Sequence, residues 1–224
     1  MSDAELRAAE RYRNDAPARY LKARLRAGTL MRDQLALAAS AGHAPAIEVI
    51  GQATKPLPES ATQWHPGEVF RKFVDDLPDS AALTAAIAAA RAVQLVTCFE
   101  HRRDCTRSRC TPIRAVIDAA TRYRDDPTTD NQATWNQAVT QIGEWLALVG
   151  LPGMDGDEQP DGNDTLTWLP MPYCPSESYR EDVMTAVEEA GLTPVRQEVR
   201  RQLIEWALSG APDAHTAARS DDQG

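Results

Sequence analysis

Apolar residues along most of the chain recur at intervals of three and four. Val69, Phe70, Phe73, Val74 and Leu77 form one such series, and Ile113, Val116, Ile117 and Ala120 a second. Trp135, Val139, Ile142, Trp145, Leu146 and Val149 form a third; Val195, Val199, Leu203 and Trp206 form a fourth. This spacing lays a single apolar stripe along a helix that packs on one side and meets water on the other. A different pattern runs over residues 80–99, which are nearly continuous in apolar residues, mostly alanine, interrupted by Arg91 and Gln94. That stretch is too weakly hydrophobic to span a membrane. It predicts a helix at the middle of the core, with the face around Leu83 and Ile87 fully buried.

Local signals mark where these helices begin and end. Ser2 with Glu5, and Ser178 with Glu181, have the spacing of a capping box, in which hydroxyl and carboxylate satisfy orphan backbone N–H groups. Thr111-Pro112 and Thr193-Pro194 each read as an N-cap hydroxyl followed by a proline at the first helical position. Gly28, Gly42, Gly191 and Gly210 follow helical patterns as residues just past a helix end. Roughly nine or ten helices of about 10 to 20 residues are expected. Two connections are long: a polar, proline-containing linker at 52–63, and residues 151–175, rich in Gly, Pro and Asp but holding an apolar island at 166–173 that Trp168 and Tyr173 should pin to the helices.

The expected organisation is an N-terminal helical unit at 1–51, a main helical domain at 64–210 that carries the 151–175 loop, and a disordered tail at 211–224. The fold class is all-α, either an irregular multi-helix bundle or a short α-solenoid-like array of antiparallel helices.

Composition supports this reading and narrows the partners. The 224 residues are 42% apolar and carry a formal net charge of -9. A chain of this length buries about 70% of the surface it exposes unfolded, so a sizeable core is available. The acidic balance argues against general binding to nucleic acid or to anionic membranes, both of which require a continuous basic face. Charge is uneven, however. Arg7, Arg11, Arg13, Arg19, Lys22, Arg24, Arg26 and Arg32 make the first helices basic, and they are expected to solvate an outer face. The N-terminal residues have no apolar signal-peptide region, so the expected compartment is the cytoplasm, where thiols stay reduced.

Candidate chemistry concentrates at residues 98–110, which hold three of the four cysteines, one of the four histidines and four arginines. Cys98, His101 and Cys105 are spaced to share one helical face, and Cys110 follows closely enough to complete a tetrahedral zinc site. Flanking arginines would stabilise thiolates, which is the alternative of a redox-active thiol. A third reading leaves Cys98 as a small core residue and the others lining a loop. Elsewhere the signals are weaker. Residues 155–161 space oxygen ligands as calcium loops do, but Pro160 stands where the sharp turn needs glycine. Ser209, Asp213 and His215 lie too close in sequence to hold triad geometry. The reading is therefore a non-enzymatic protein-binding chain, with a zinc- or thiol-dependent regulator as the competing class.

A resemblance adds to this. Residues 20–44, with Leu25-Arg26-Ala27-Gly28, then Leu37-Ala38-Ala39, then Gly42-His43, resemble the N-terminal helical hairpin of a group of bacterial all-helical proteins. Residues 85–96 and 112–120 are similar to that group's central helices, and 199–208 to its last helix. The central pair also looks like helical immunity proteins of bacterial polymorphic toxin systems. The resemblance implies a helical fold and a toxin-neutralising, protein-binding role; it transfers no functional residue.

Overall fold

In a computed structural model the described residues are 16–51, 66–100, 107–149, 169–172 and 174–209. They form an all-α fold of nine helices, with no strand among the described residues. In chain order these are α1 Pro17–Ala27, α2 Arg32–Ser40, α3 Ala44–Ile50, α4 Pro66–Asp75, α5 Asp79–Glu100, α6 Arg107–Asp125, α7 Thr129–Val149, α8 Ser176–Ala190 and α9 Leu192–Ser209. The sequence-predicted capping pair Ser2 and Glu5, the arginines Arg7, Arg11 and Arg13, the linker at 52–63 and the tail lie outside the described residues. Two compact units divide the rest. The first takes 16–51, 66–73 and 200–209; the second takes 74–100, 107–149, 169–172 and 174–199.

The first unit is built on short helices, in which α3 packs against both α1 and α2. Proline at the start of α1 needs no N–H partner there. Gly28 ends that helix in the left-handed region, at φ 71°, with its N–H bonded to Leu25 O at 3.2 Å, a conformation glycine adopts without a Cβ penalty. Leu30, Leu35, Leu37, Ala38, Ala39 and Ala41 are buried. Such short helices leave a large share of their carbonyls without an intrahelical donor, and two arginines supply donors. The Arg24 guanidinium donates to Leu208 O at the end of α9 and to Thr29 O at 2.9 Å, while Arg200 Nε donates to Ala41 O at 2.8 Å, just past the end of α2. Gly42, at φ 91°, lies so close to Arg200 that a Cβ there would collide with the guanidinium. Arg19, Lys22, Arg26 and Arg32 are exposed as the sequence predicts, but Arg24 is half-buried. It departs from the expected outer face because helix-end carbonyls lie within its reach.

The second unit is organised around α5. All eight alanines of this helix are buried, as are Thr84, Ile87 and Val93, and α8 and α6 pack against it. Alanine is the strongest helix former and its small side chain lets neighbours approach closely. Leu83 is only half-buried, short of the full burial expected of that face. Arg91 donates to Thr121 Oγ1 on α6 at 2.9 Å, and that hydroxyl donates in turn to Ile117 O at 2.7 Å. From α8, Arg180 donates to Leu77 O at 2.6 Å and pairs with Asp79 at 2.8 Å, clamping the turn into α5. α7 packs on α6, where Trp135 is fully buried and its ring lies 5.4 Å from that of Tyr123.

Several helix starts differ from the sequence signals. α6 begins at Arg107, so Pro112 is inside the helix, where the expected boundary was Thr111-Pro112. α8 begins at Ser176 after Pro175, with no side-chain cap, so Ser178 and Glu181 sit within the first two turns and form no capping box. α9 begins at Leu192, one residue ahead of the expected Thr193 cap. In each case helical backbone extends upstream of a residue with good capping chemistry, an interaction worth only about 1 kcal/mol.

Candidate functional site

Cys98 lies in the last turn of α5 and Cys110 in the first turn of α6, so α5 and α6, which pack together, meet the 101–106 connection at the same two ends. His101 and Cys105 fall in that connection, outside the described residues, and the side chains of Cys98 and Cys110 are outside them as well. Among the described residues no group of three or more His, Cys, Asp or Glu side chains is placed to hold a metal ion.

A second group of reactive side chains, which the sequence reading did not single out, does come together in the second unit. It lies where the chain leaves residues 169–172 and enters α8. Leu169 is 2% exposed and anchors that stretch. Tyr179, in the first turns of α8, is buried and its hydroxyl donates to Met171 O at 3.0 Å. The same oxygen accepts the backbone N–H of Cys174. Cys174 is a free, half-buried thiol. Asp182 follows Tyr179 by three residues, which places it on the same side of the helix.

Burial decides the electrostatics here. Desolvation, helped by the neighbouring Glu181 charge, pushes the Asp182 carboxyl up to about 7. Desolvation also raises the Cys174 thiol, and the Asp182 charge raises it further. The Tyr179 phenol is raised most by burial, then by Cys174, Tyr123 and Asp182. Such a thiol is a poor nucleophile, because its thiolate is disfavoured. What the cluster can do chemically is hold and release a proton near neutral pH.

The sequence carried a signal for this group. Tyr179, Val183 and Ala186 form the buried face of α8, and Asp182 sits three residues after the first and four before the last, inside the apolar stripe. Elsewhere, His43 at the start of α3 is half-buried, and desolvation lowers its basicity.

No protein-family model matches the chain, and no curated protein or solved structure matches it.

Proposed function

We propose that this chain is a non-enzymatic helical protein-binding module of the cytoplasm, immunity-like in covering and neutralising a basic protein partner. The observation that carries this reading is the segregation of charge. The described residues of the second unit hold fifteen acidic residues against eight basic ones, whereas those of the first hold nine basic against four acidic. Glu177, Glu181 and Glu188 are exposed along one side of α8, and Asp118, Asp125, Asp126 and Asp130 are exposed on α6, the turn after it and the start of α7. An acidic face of this kind steers a basic partner and fixes its register more than it raises affinity.

The test compares the full chain with a Glu177→Lys, Glu181→Lys, Glu188→Lys variant in crosslinking from cells. The reading expects a net-basic protein recovered with the native chain, released by added salt and lost with the variant. Recovery of the same proteins by both forms would contradict it.

The competing reading is zinc- or thiol-dependent regulation through Cys98, His101, Cys105 and Cys110. It is favoured by the placement of Cys98 and Cys110 at the two helix ends that flank the 101–106 connection. One zinc per chain by elemental analysis, lost on Cys105→Ser, would decide for it.

A further inference from the structure

α1 and α8 carry opposite charge, and neither helix holds the residues to neutralise its own. α1 contains Arg19, Lys22, Arg24 and Arg26 and no acidic residue. Arg24 turns inward to Leu208 O and Thr29 O. Arg19, Lys22 and Arg26 are exposed, and their spacing of three and four puts them along one side of the helix. α8 holds five acidic residues against a single cation, Arg180, which is committed to Leu77 O and Asp79. Its exposed stripe is Glu177, Glu181 and Glu188. The intervals on the two stripes agree. Lys22 and Arg26 lie four residues apart, as Glu177 and Glu181 do, and Arg19 and Arg26 lie seven apart, as Glu181 and Glu188 do. Helices laid side by side share one rise per residue, so either interval sets two cations opposite two carboxylates in a single register.

We propose that the basic side of α1 in one copy of this chain docks on the acidic side of α8 in a second copy, and that this pairing occupies the acidic face until a more basic partner displaces it. The proposal rests on the reading of that face as a docking surface. Exposed ion pairs are individually weak and screened by salt, so the pairing is transient and salt-sensitive. The net charge of -9 adds long-range repulsion between copies, and association therefore depends on the local register of facing charges. The two faces are different surfaces, so the contact is heterologous: a copy with both can bind a neighbour through each, and a copy with one cannot go beyond a pair.

Sedimentation equilibrium of the full chain tests this. At about 50 mM salt, where a Debye length of roughly 14 Å screens distant charges more than facing ones, the average mass should rise with protein concentration. At about 500 mM the association constant should be more than about tenfold lower. An acidic-face variant, Glu177→Gln with Glu181→Gln and Glu188→Gln, should remain a monomer at low salt, as should a basic-face variant, Arg19→Gln with Lys22→Gln and Arg26→Gln. Mixed, the two should form a one-to-one pair and nothing larger, because each supplies the face the other lacks; recovery on mixing also shows that both variants fold. A mass independent of concentration at low salt, association that survives high salt, or association by either variant alone would overturn the proposal. Absence of self-association with a basic partner still recovered from cells removes this inference alone, whereas self-association without such a partner removes the earlier reading and leaves the pairing standing.

Discussion

The two units hold helices together by different means. In the first, α1, α2 and α3 have 11, 9 and 7 residues. Helices that short bury few side chains each, and two arginines add polar tethers: Arg200 donates to Ala41 O just past the end of α2, and Arg24 donates to Leu208 O at the end of α9. In the second, α5 runs for 22 residues and buries all eight of its alanines. There, close packing does most of the holding, and arginines add tethers on the turn into α5 at Arg180 and within α5 at Arg91. The comparison teaches that helix length sets the balance between polar tethers and apolar packing.

The largest effect expected from breaking this comparison is in the second unit. Ile87 is fully buried on α5, and Ile87→Ala should cost about 2 to 5 kcal/mol by urea unfolding, through lost burial and the cavity left behind. A cost under about 1 kcal/mol would remove α5 from the centre of the account. In the first unit, Arg200→Ala leaves Ala41 O without its side-chain donor and should cost about 1 to 3 kcal/mol. Arg200→Lys should recover only part of that, since an ammonium lacks the guanidinium's planar fork.

Much of this fold was legible in the sequence. The stripes at Phe70 and Val74, at Val116, Ile117 and Ala120, at Trp135 and Ile142, and at Val195, Val199, Leu203 and Trp206 are all buried on helices, because periodicity reports which face must leave water. The alanine run of α5 was equally clear. The arginine clamps were not, for Arg24 and Arg26 differ by two positions in sequence and yet one reaches a carbonyl while the other is exposed. Which helix end comes within reach is a tertiary fact. The Asp182 site was half-legible: the carboxylate interrupts an apolar stripe, but the bond from Tyr179 to Met171 O beside it depends on how residues 169–172 return to α8. Of the cysteine and histidine group, only the helix positions of Cys98 and Cys110 fall among the described residues.

A smaller effect, of opposite sign, is expected at Asp182. Its carboxyl is raised to about 7 from an ordinary 3.8, so the folded chain holds this proton more tightly than the unfolded one. The stability this contributes is complete below about pH 3.8, declines as pH rises and is lost once pH passes about 7. Asp182→Asn should therefore match the native chain near pH 3.5 and exceed it at pH 8 by on the order of 1 to 3 kcal/mol, after allowing for solvent screening. Urea midpoints at the two pH values check this, and equal midpoints at pH 8 would refute it. The smallest effect concerns Thr84, fully buried on α5 with a hydroxyl that has no hydrogen-bond partner among the described residues. Thr84→Val keeps the shape and removes the unpaired group, so a gain of about 1 kcal/mol is expected, read as a raised melting temperature.

Native-state hydrogen exchange over α5 tests most directly whether close packing around that helix organises the second unit. The amides of residues 85–93 should be among the slowest to exchange in the chain, opening only with a free energy near that of global unfolding, and Ile87→Ala should lower their protection by the full loss in stability. Amides there that exchange as fast as those at the ends of α6 and α8, or that keep their protection in Ile87→Ala, would contradict the account.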